Sequence, residues 1–236
     1  MDRKCGIFLI ICSIVCIAIS GCLKQEAAKP TCNIEIEGPG SVISAECIVT
    51  FFGEEDSKYI SQHHHTIYPE DMAIKIEADE PNGNFEYCLY KGDFSLINGG
   101  SSKNPVALYS SEIARAIVLA VSARGGFLGD KAGVMGDPVS IAGRMYQPID
   151  MYAGDDSPVS QKVYREISSN QIDWVEIRNS DNNALIAARS YNVRNLADSG
   201  KVMPSSIDIY NTDSSGRPSN RIMNIEYKSF ELLPTM

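Results

Sequence analysis

What this chain of 236 residues is short of narrows it first. It has three histidines, and all of them stand together as His63-His64-His65. None is left elsewhere to serve as base for a nucleophile, and Gly-x-Ser-x-Gly is absent, so hydrolase chemistry lacks its usual parts. No Cys-x-x-Cys pair occurs, which removes structural zinc. Gly125-Gly126-Phe127-Leu128-Gly129 has neither the spacing nor the Lys-Ser/Thr ending of a phosphate loop. Basic residues are the minority, 21 Lys and Arg against 30 Asp and Glu. The net charge of −9 opposes nucleic acid and anionic lipid head groups alike. Past Ile19 no apolar run approaches the roughly 20 residues of a membrane-spanning helix. No cofactor, no metal and no nucleic-acid partner is expected.

What is present begins at the N-terminus. Arg3 and Lys4 precede an apolar run from Cys5 to Ile19, which has the length of a signal-peptide h-region and is too short to span a bilayer. The tetrad Ile19-Ser20-Gly21-Cys22 resembles the bacterial lipobox. Cleavage between Gly21 and Cys22 would leave Cys22 as the lipid-bearing first residue, since only a thiol can carry the thioether-linked diacylglycerol. An uncleaved anchor helix is the alternative. The expected organisation is a lipoprotein signal peptide at 1–21, a polar tether at 22–31 and one domain at 32–236. The lipid would be the membrane anchor, and three acyl chains make a durable one. The expected address is the bacterial cell envelope. Leu23, in place of the aspartate read as inner-membrane retention, favours the outer membrane, facing the periplasm.

Cys5, Cys12 and Cys16 would leave with the leader, which places Cys32, Cys47 and Cys88 in a compartment that permits disulfides. Cys32 and Cys47 lie symmetrically about Gly38-Pro39-Gly40-Ser41. A hairpin there would set them opposite each other, with Ile34 facing Ala45 and Ile36 facing Ile43 on one apolar side. A Cys32–Cys47 disulfide is one reading and two buried free thiols the other; Cys88 is odd in both.

From Cys32 onward the chain reads as strand after strand. Residues 32–37 and 42–52, His65–Tyr68, Met72–Ala78, Phe85–Tyr90 and Asp93–Ile97 come first. Ser140–Gln147, broken by Gly143, precedes Gln161–Glu166, Ile172–Arg178, Leu185–Asn192, Ser206–Tyr210 and Ile222–Phe230. Turn signals near every ten residues, among them Pro81-Asn82-Gly83-Asn84 and Asp181-Asn182-Asn183, predict an antiparallel meander. One helix is predicted over 105–122, capped by Asn104, led by Pro105 and stopped at Arg124-Gly125-Gly126. Its spacing turns Ile113, Ile117 and Val121 inward, with Glu112, Arg115 and Ser122 outward. Residues 127–138 read as a glycine-rich loop. The fold class is mainly β (α+β): a curved antiparallel sheet, or unclosed half-barrel, covered on its concave face by one main helix and a loop.

That layout resembles the outer-membrane lipoprotein-sorting family, with the LolA/LolB-like fold shared by the N-terminal domain of RseB. The passages that carry the resemblance are Tyr68–Ala78 leading to Asp93–Ile97, Lys162-Val-Tyr164 before Ile172–Ile177, Ala184–Tyr191, and Pro204–Tyr210. The resemblance implies a non-enzymatic protein with a hydrophobic cavity for acyl chains of a lipid or lipoprotein. Ile74, Ile76, Ile113, Ile117, Val121 and Trp174 would line it, Trp174 as a core or rim aromatic, with Phe127 and Leu128 either as lid tips or buried by an ordinary loop. A structural or interaction lipoprotein with a filled core is the alternative.

Among the remaining polar groups, His63 and His65 would share a strand face and could hold a metal as a pair. A solvated polar segment is the plainer expectation. Asp155-Asp156 and Asp181-Asn182-Asn183 lack the ligand rhythm of a calcium loop and read as turns.

Overall fold

A computed structural model describes residues 31–32, 34, 40–54, 57–81, 83–100, 103–129, 133–151, 159–196 and 199–233. Among the described residues thirteen strands form one antiparallel sheet, and the first of them lies at its centre. Strand β1 (Val42–Phe52) pairs on one side with β2 (Lys58–Tyr68), which leads through β3 (Ala73–Ala78) and β4 (Phe85–Tyr90) to β5 (Asp93–Asn98) at one end. The chain then crosses to the far end, where β6 (Gly133–Met135) and β7 (Val139–Ile141) both pair with β8 (Arg144–Met151). From there β9 (Val159–Glu166), β10 (Ile172–Asn179), β11 (Ala184–Asn195), β12 (Val202–Thr212) and β13 (Pro218–Leu233) meander back. Strand β13 closes onto the free side of β1, Val42 opposite Leu233. The terminal strands β5 and β6 do not meet, so the half-barrel stays open.

Because β5 and β6 lie at opposite ends, the connection between them must span the sheet, and it does so across the concave face. It consists of a 3-10 turn (Pro105–Leu108) and helix α1 (Ser111–Gly125). Asn104 caps the first, its side chain accepting from the Val106 N–H at 2.9 Å. The extended backbone at Tyr109–Ser110 interrupts the single helix predicted over 105–122, and Ser110 caps α1 by accepting from the Ile113 N–H. Gly126 ends it with φ 75°, a left-handed conformation that glycine adopts without a Cβ penalty.

The core is one apolar layer between α1 and the concave face, with Ile43, Val49, Ile67, Ile74, Ile117, Val118, Leu119, Ile177 and Ile207 fully buried. Each such side chain contributes about 1.5–3 kcal/mol by leaving water. The inward stripe of Ile113, Ile117 and Val121 is as expected, but the outward one is not. Every residue from Ile113 to Ala123 is buried. Arg115 spans to the β4–β5 turn and donates to the Gly92 carbonyl, and Ser122 donates to the Pro69 carbonyl at 2.9 Å. The sheet wraps the helix, so its polar side chains satisfy backbone carbonyls and do not face water.

The cysteine pairing also differs. Cys32 is bonded to Cys88 on β4, Cα–Cα 5.7 Å, and Cys47 is a buried free thiol. A strand has two edges, and those of β1 are taken by β2 and β13, so no third strand can bring Cys32 alongside Cys47. Opposite Cys47 stand His63 and Tyr227. Residues 33 and 35–39, on which the expected first strand rests, lie outside the described residues, as do Gly21 and Cys22.

Candidate functional site

The interior of the half-barrel is built by two unlike surfaces. One is apolar. Ile74 and Ile76 on β3 and Ile113, Ile117, Val118 and Val121 on α1 all belong to the same core cluster, none more than 5% exposed. Phe127 joins it from the loop after α1, and half-buried Leu128 packs against it. The Lys201 ammonium lies 5.1 Å from the Phe127 ring centre and donates to the Gly126 carbonyl, so this stretch of the loop is fastened to the segment before β12. Of the residues expected to line a cavity, the structure brings together all but Trp174.

Trp174 stands on the other side of β10 from Val175 and Ile177. It packs with Tyr146, Tyr164 and Ala187 in a separate cluster on the convex face. The Arg189 guanidinium lies 5.3 Å from the Trp174 ring and 4.8 Å from that of Tyr191. Arg221 lies over Phe52 and pairs with Asp208, and Arg178 pairs with Glu176 at 2.6 Å. Long cationic side chains thus roof aromatic rings on a face that would otherwise be bare to solvent.

The second interior surface is polar and was not foreseen. Along β2, Ser61, His63, His65 and Ile67 alternate inward, and all four are buried. Tyr109 hydroxyl meets His63 Nδ1 at 3.2 Å, and Tyr227 hydroxyl meets His65 Nδ1 at 3.3 Å. The two imidazole rings are 6.1 Å apart, edge to face. Nε2 of each is buried without a partner among the described residues. At the outer end of the row, the Glu80 carboxylate accepts from Tyr59, Ser61 and Asn104. Only His64 of the three histidines faces the convex side, where its Nε2 lies 3.3 Å from Ser44 Oγ.

Burial holds these groups in defined charge states. His63 is pushed down to about 4 by desolvation, against the pull of the Glu80 charge. His65, fully enclosed, is lowered well below the ordinary range by burial and by the two neighbouring histidines. Both imidazoles are therefore neutral at pH 7. Glu80 moves the other way from what burial alone would do, because three donated hydrogen bonds hold its carboxyl below the usual range. No group of three or more His, Cys, Asp or Glu side chains is placed to hold a metal among the described residues. A concavity of 340 Å³ lies over β1–β3 and β13, and its lining includes Glu46, Gln62, His63, His64, Glu77 and Lys228.

Helix α1 is seated unevenly. It packs chiefly against β10, β11 and β12 and touches β3 and β4 only lightly. Across the β2 side it is the lead-in segment that makes the connection, through Asn104, Tyr109 and the Val106 carbonyl, which accepts from Tyr87. No helix among the described residues is long and apolar enough to cross a membrane.

No sequence-family profile and no curated protein matches the chain. Solved structures do. A LolA superfamily protein from Nitrosomonas europaea superposes with a TM-score of 0.53 at 14% identity, over 86% of this chain and 90% of that one. A putative outer membrane lipoprotein-sorting protein domain from Vibrio parahaemolyticus gives 0.45 at 11% identity, over 83% and 86%. The first likeness shows the fold: this chain has the LolA-like architecture that its layout resembled.

Proposed function

We propose that this LolA-like chain is a lipid-anchored protein of the bacterial cell envelope. Its half-barrel would take up the acyl part of a lipid or lipoprotein, with helix α1 and the loop after it moving aside. The observation that carries this reading is the uneven seat of α1, a cover held firmly by one wing of the sheet and lightly by the other. Its inner surface is slim, with Ala114, Ala116, Ala120 and Ala123 between the larger side chains. A ten-methylene chain entering that space would gain about 8 kcal/mol of apolar burial, enough to offset a partial displacement. The tetrad Ile19-Ser20-Gly21-Cys22 supports lipidation at Cys22, and Leu23 supports outer-membrane placement on the periplasmic side. No catalytic role is assigned to any residue.

A second reading rests on an observation of its own: with α1 in place, Ile117, Val118 and Leu119 fill the concavity at 0% exposure. On that reading the protein is an interaction lipoprotein with a solid core. Titration of the mature chain with a fluorescent fatty acyl probe separates the two. Saturable binding at micromolar probe, lost on Ile117→Asp in material that still folds, supports the carrier. No binding by the parent chain retires it.

A further inference from the structure

The interior row on β2 is chemically out of place in a compartment built for hydrocarbon. Ser61, His63 and His65 occupy consecutive inward positions and continue the face of Ile67. Three of their four cross-strand neighbours are small: Cys47 and Ala78 flank His63, and Ala45 flanks His65 opposite the larger Ile76. A phenol is a better proton donor than a neutral imidazole. With Tyr109 and Tyr227 donating to the Nδ1 atoms, each ring keeps its proton on Nε2. Those two N–H groups are among seven buried side-chain polar atoms without a partner among the described residues, and they are the two that lie side by side on one strand face inside the half-barrel. A buried donor left unmatched is an unfavourable arrangement, and it persists in sites that a ligand completes.

We infer that Ser61, His63 and His65 form a head-group subsite of the half-barrel, and that the ligand it takes carries an uncharged carbonyl acceptor, an ester or amide, at the head of its apolar chain. The inference rests on the acyl-binding reading and narrows it. An ester carbonyl accepts from a neutral N–H and needs no counter-charge. A carboxylate or phosphate would face two uncharged rings and, at the mouth of the row, the ionised Glu80 held by Tyr59, Ser61 and Asn104. Charge repulsion and desolvation both count against it.

The same geometry says how the row becomes reachable. Tyr109 and Asn104, which cover it, belong to the lead-in of α1 and bond across to His63 and to Tyr59 and Glu80. Since α1 is seated chiefly on β10–β12, lifting residues 104–110 uncovers β2 while the helix keeps its main seat. Tyr109 thus acts as a latch on His63, and an arriving carbonyl replaces the apolar surroundings of Nε2 with a hydrogen bond.

The test compares two fluorescent probes of equal chain length on the mature chain at pH 7.5, one a methyl ester and one the free acid. One added hydrogen bond of ordinary strength predicts about tenfold tighter binding of the ester. His63→Phe and His65→Phe, singly and together, should bring the ester-to-acid affinity ratio down to about one, the acid serving in each variant as the internal reference. An independent readout in the parent chain is the imidazole ¹⁵N–¹H spectrum, in which the two Nε2 signals should shift with ester and not with acid. A monoacylglycerol and an N-acyl peptide then distinguish a glycerolipid from a lipoprotein source. If neither probe binds, the acyl-binding reading itself fails. If both bind equally, or the ester shifts no Nε2 signal, the subsite is overturned and the acyl-binding reading stands.

Discussion

Ser122→Ala is the substitution whose sign discriminates most sharply between a wrapped helix and a half-exposed one. Alanine is the better helix former by about 0.5 kcal/mol, so on a solvent-facing side of α1 the change would stabilise the protein by that amount. In the structure Ser122 is 0% exposed and its hydroxyl donates to the Pro69 carbonyl at 2.9 Å. Removing the donor strands a buried carbonyl, which costs about 1–3 kcal/mol. The balance is a loss of roughly 0.5–2.5 kcal/mol. Urea unfolding followed by the fluorescence of Trp174, the single tryptophan, would measure it, since β10 is one of the strands on which α1 rests. The midpoint should fall with an unchanged slope. A variant as stable as the parent, or more so, would refute the reasoning that α1 is enclosed on that side.

Four further outcomes are expected. Peptide mapping without reduction should recover Cys32 and Cys88 in one linked fragment and Cys47 as a free thiol. Loss of that cross-link in Cys88→Ala should lower stability by up to about 4 kcal/mol, from the loop entropy of a 56-residue separation. Stability should decline as pH falls from about 6.5 toward about 4, because unfolding frees His63 from a depressed pKa and lets it bind a proton that the folded state refuses. For His63 alone the loss below pH 4 is roughly 3 kcal/mol, His65 adds to it in the same direction, and a flat profile between pH 7 and pH 4.5 would exclude the buried neutral pair. Cys22→Ser should leave an unprocessed precursor; normal cleavage and membrane retention of that variant would exclude lipidation there.

The alternation of apolar side chains made most strands legible. Ile74 and Ile76, or Val175 and Ile177, mark the buried face without any knowledge of partners. The same parity held two pieces of information that the sequence reading passed over. Trp174 is out of phase with Val175 and Ile177, which sets it on the convex side. His63 and His65 are in phase with Ile67, so extending the strand back to Lys58 would have turned them inward and ended the expectation of a solvated segment. Helix α1 shows its enclosure in Ala114, Ala116, Ala120 and Ala123, small apolar residues that widen the stripe of Ile113, Ile117 and Val121 to about half the helix circumference. Arg115 and Ser122 masked that signal because their carbonyl partners, Gly92 and Pro69, are distant in sequence. The partner of Cys32 was illegible for a similar reason. Nothing local says that both edges of β1 are taken by strands from opposite ends of the chain.

That central entry has a kinetic meaning. The register of β1 on β13 joins the first described strand to the last, Val42 to Leu233, and every other pair joins strands adjacent in sequence except β6 and β8, which are separated only by the short β7. Two meanders, β1–β5 and β6–β13, can each assemble from short-range contacts, but the seam between them must wait for the whole chain. As the chain emerges from its N-terminal end, β1 spends longest with one row of backbone amides unpaired, the condition in which edge strands find wrong partners. The slow step of folding is accordingly the β1–β13 closure, and a chain truncated before Pro218 would leave β1 as a permanent open edge.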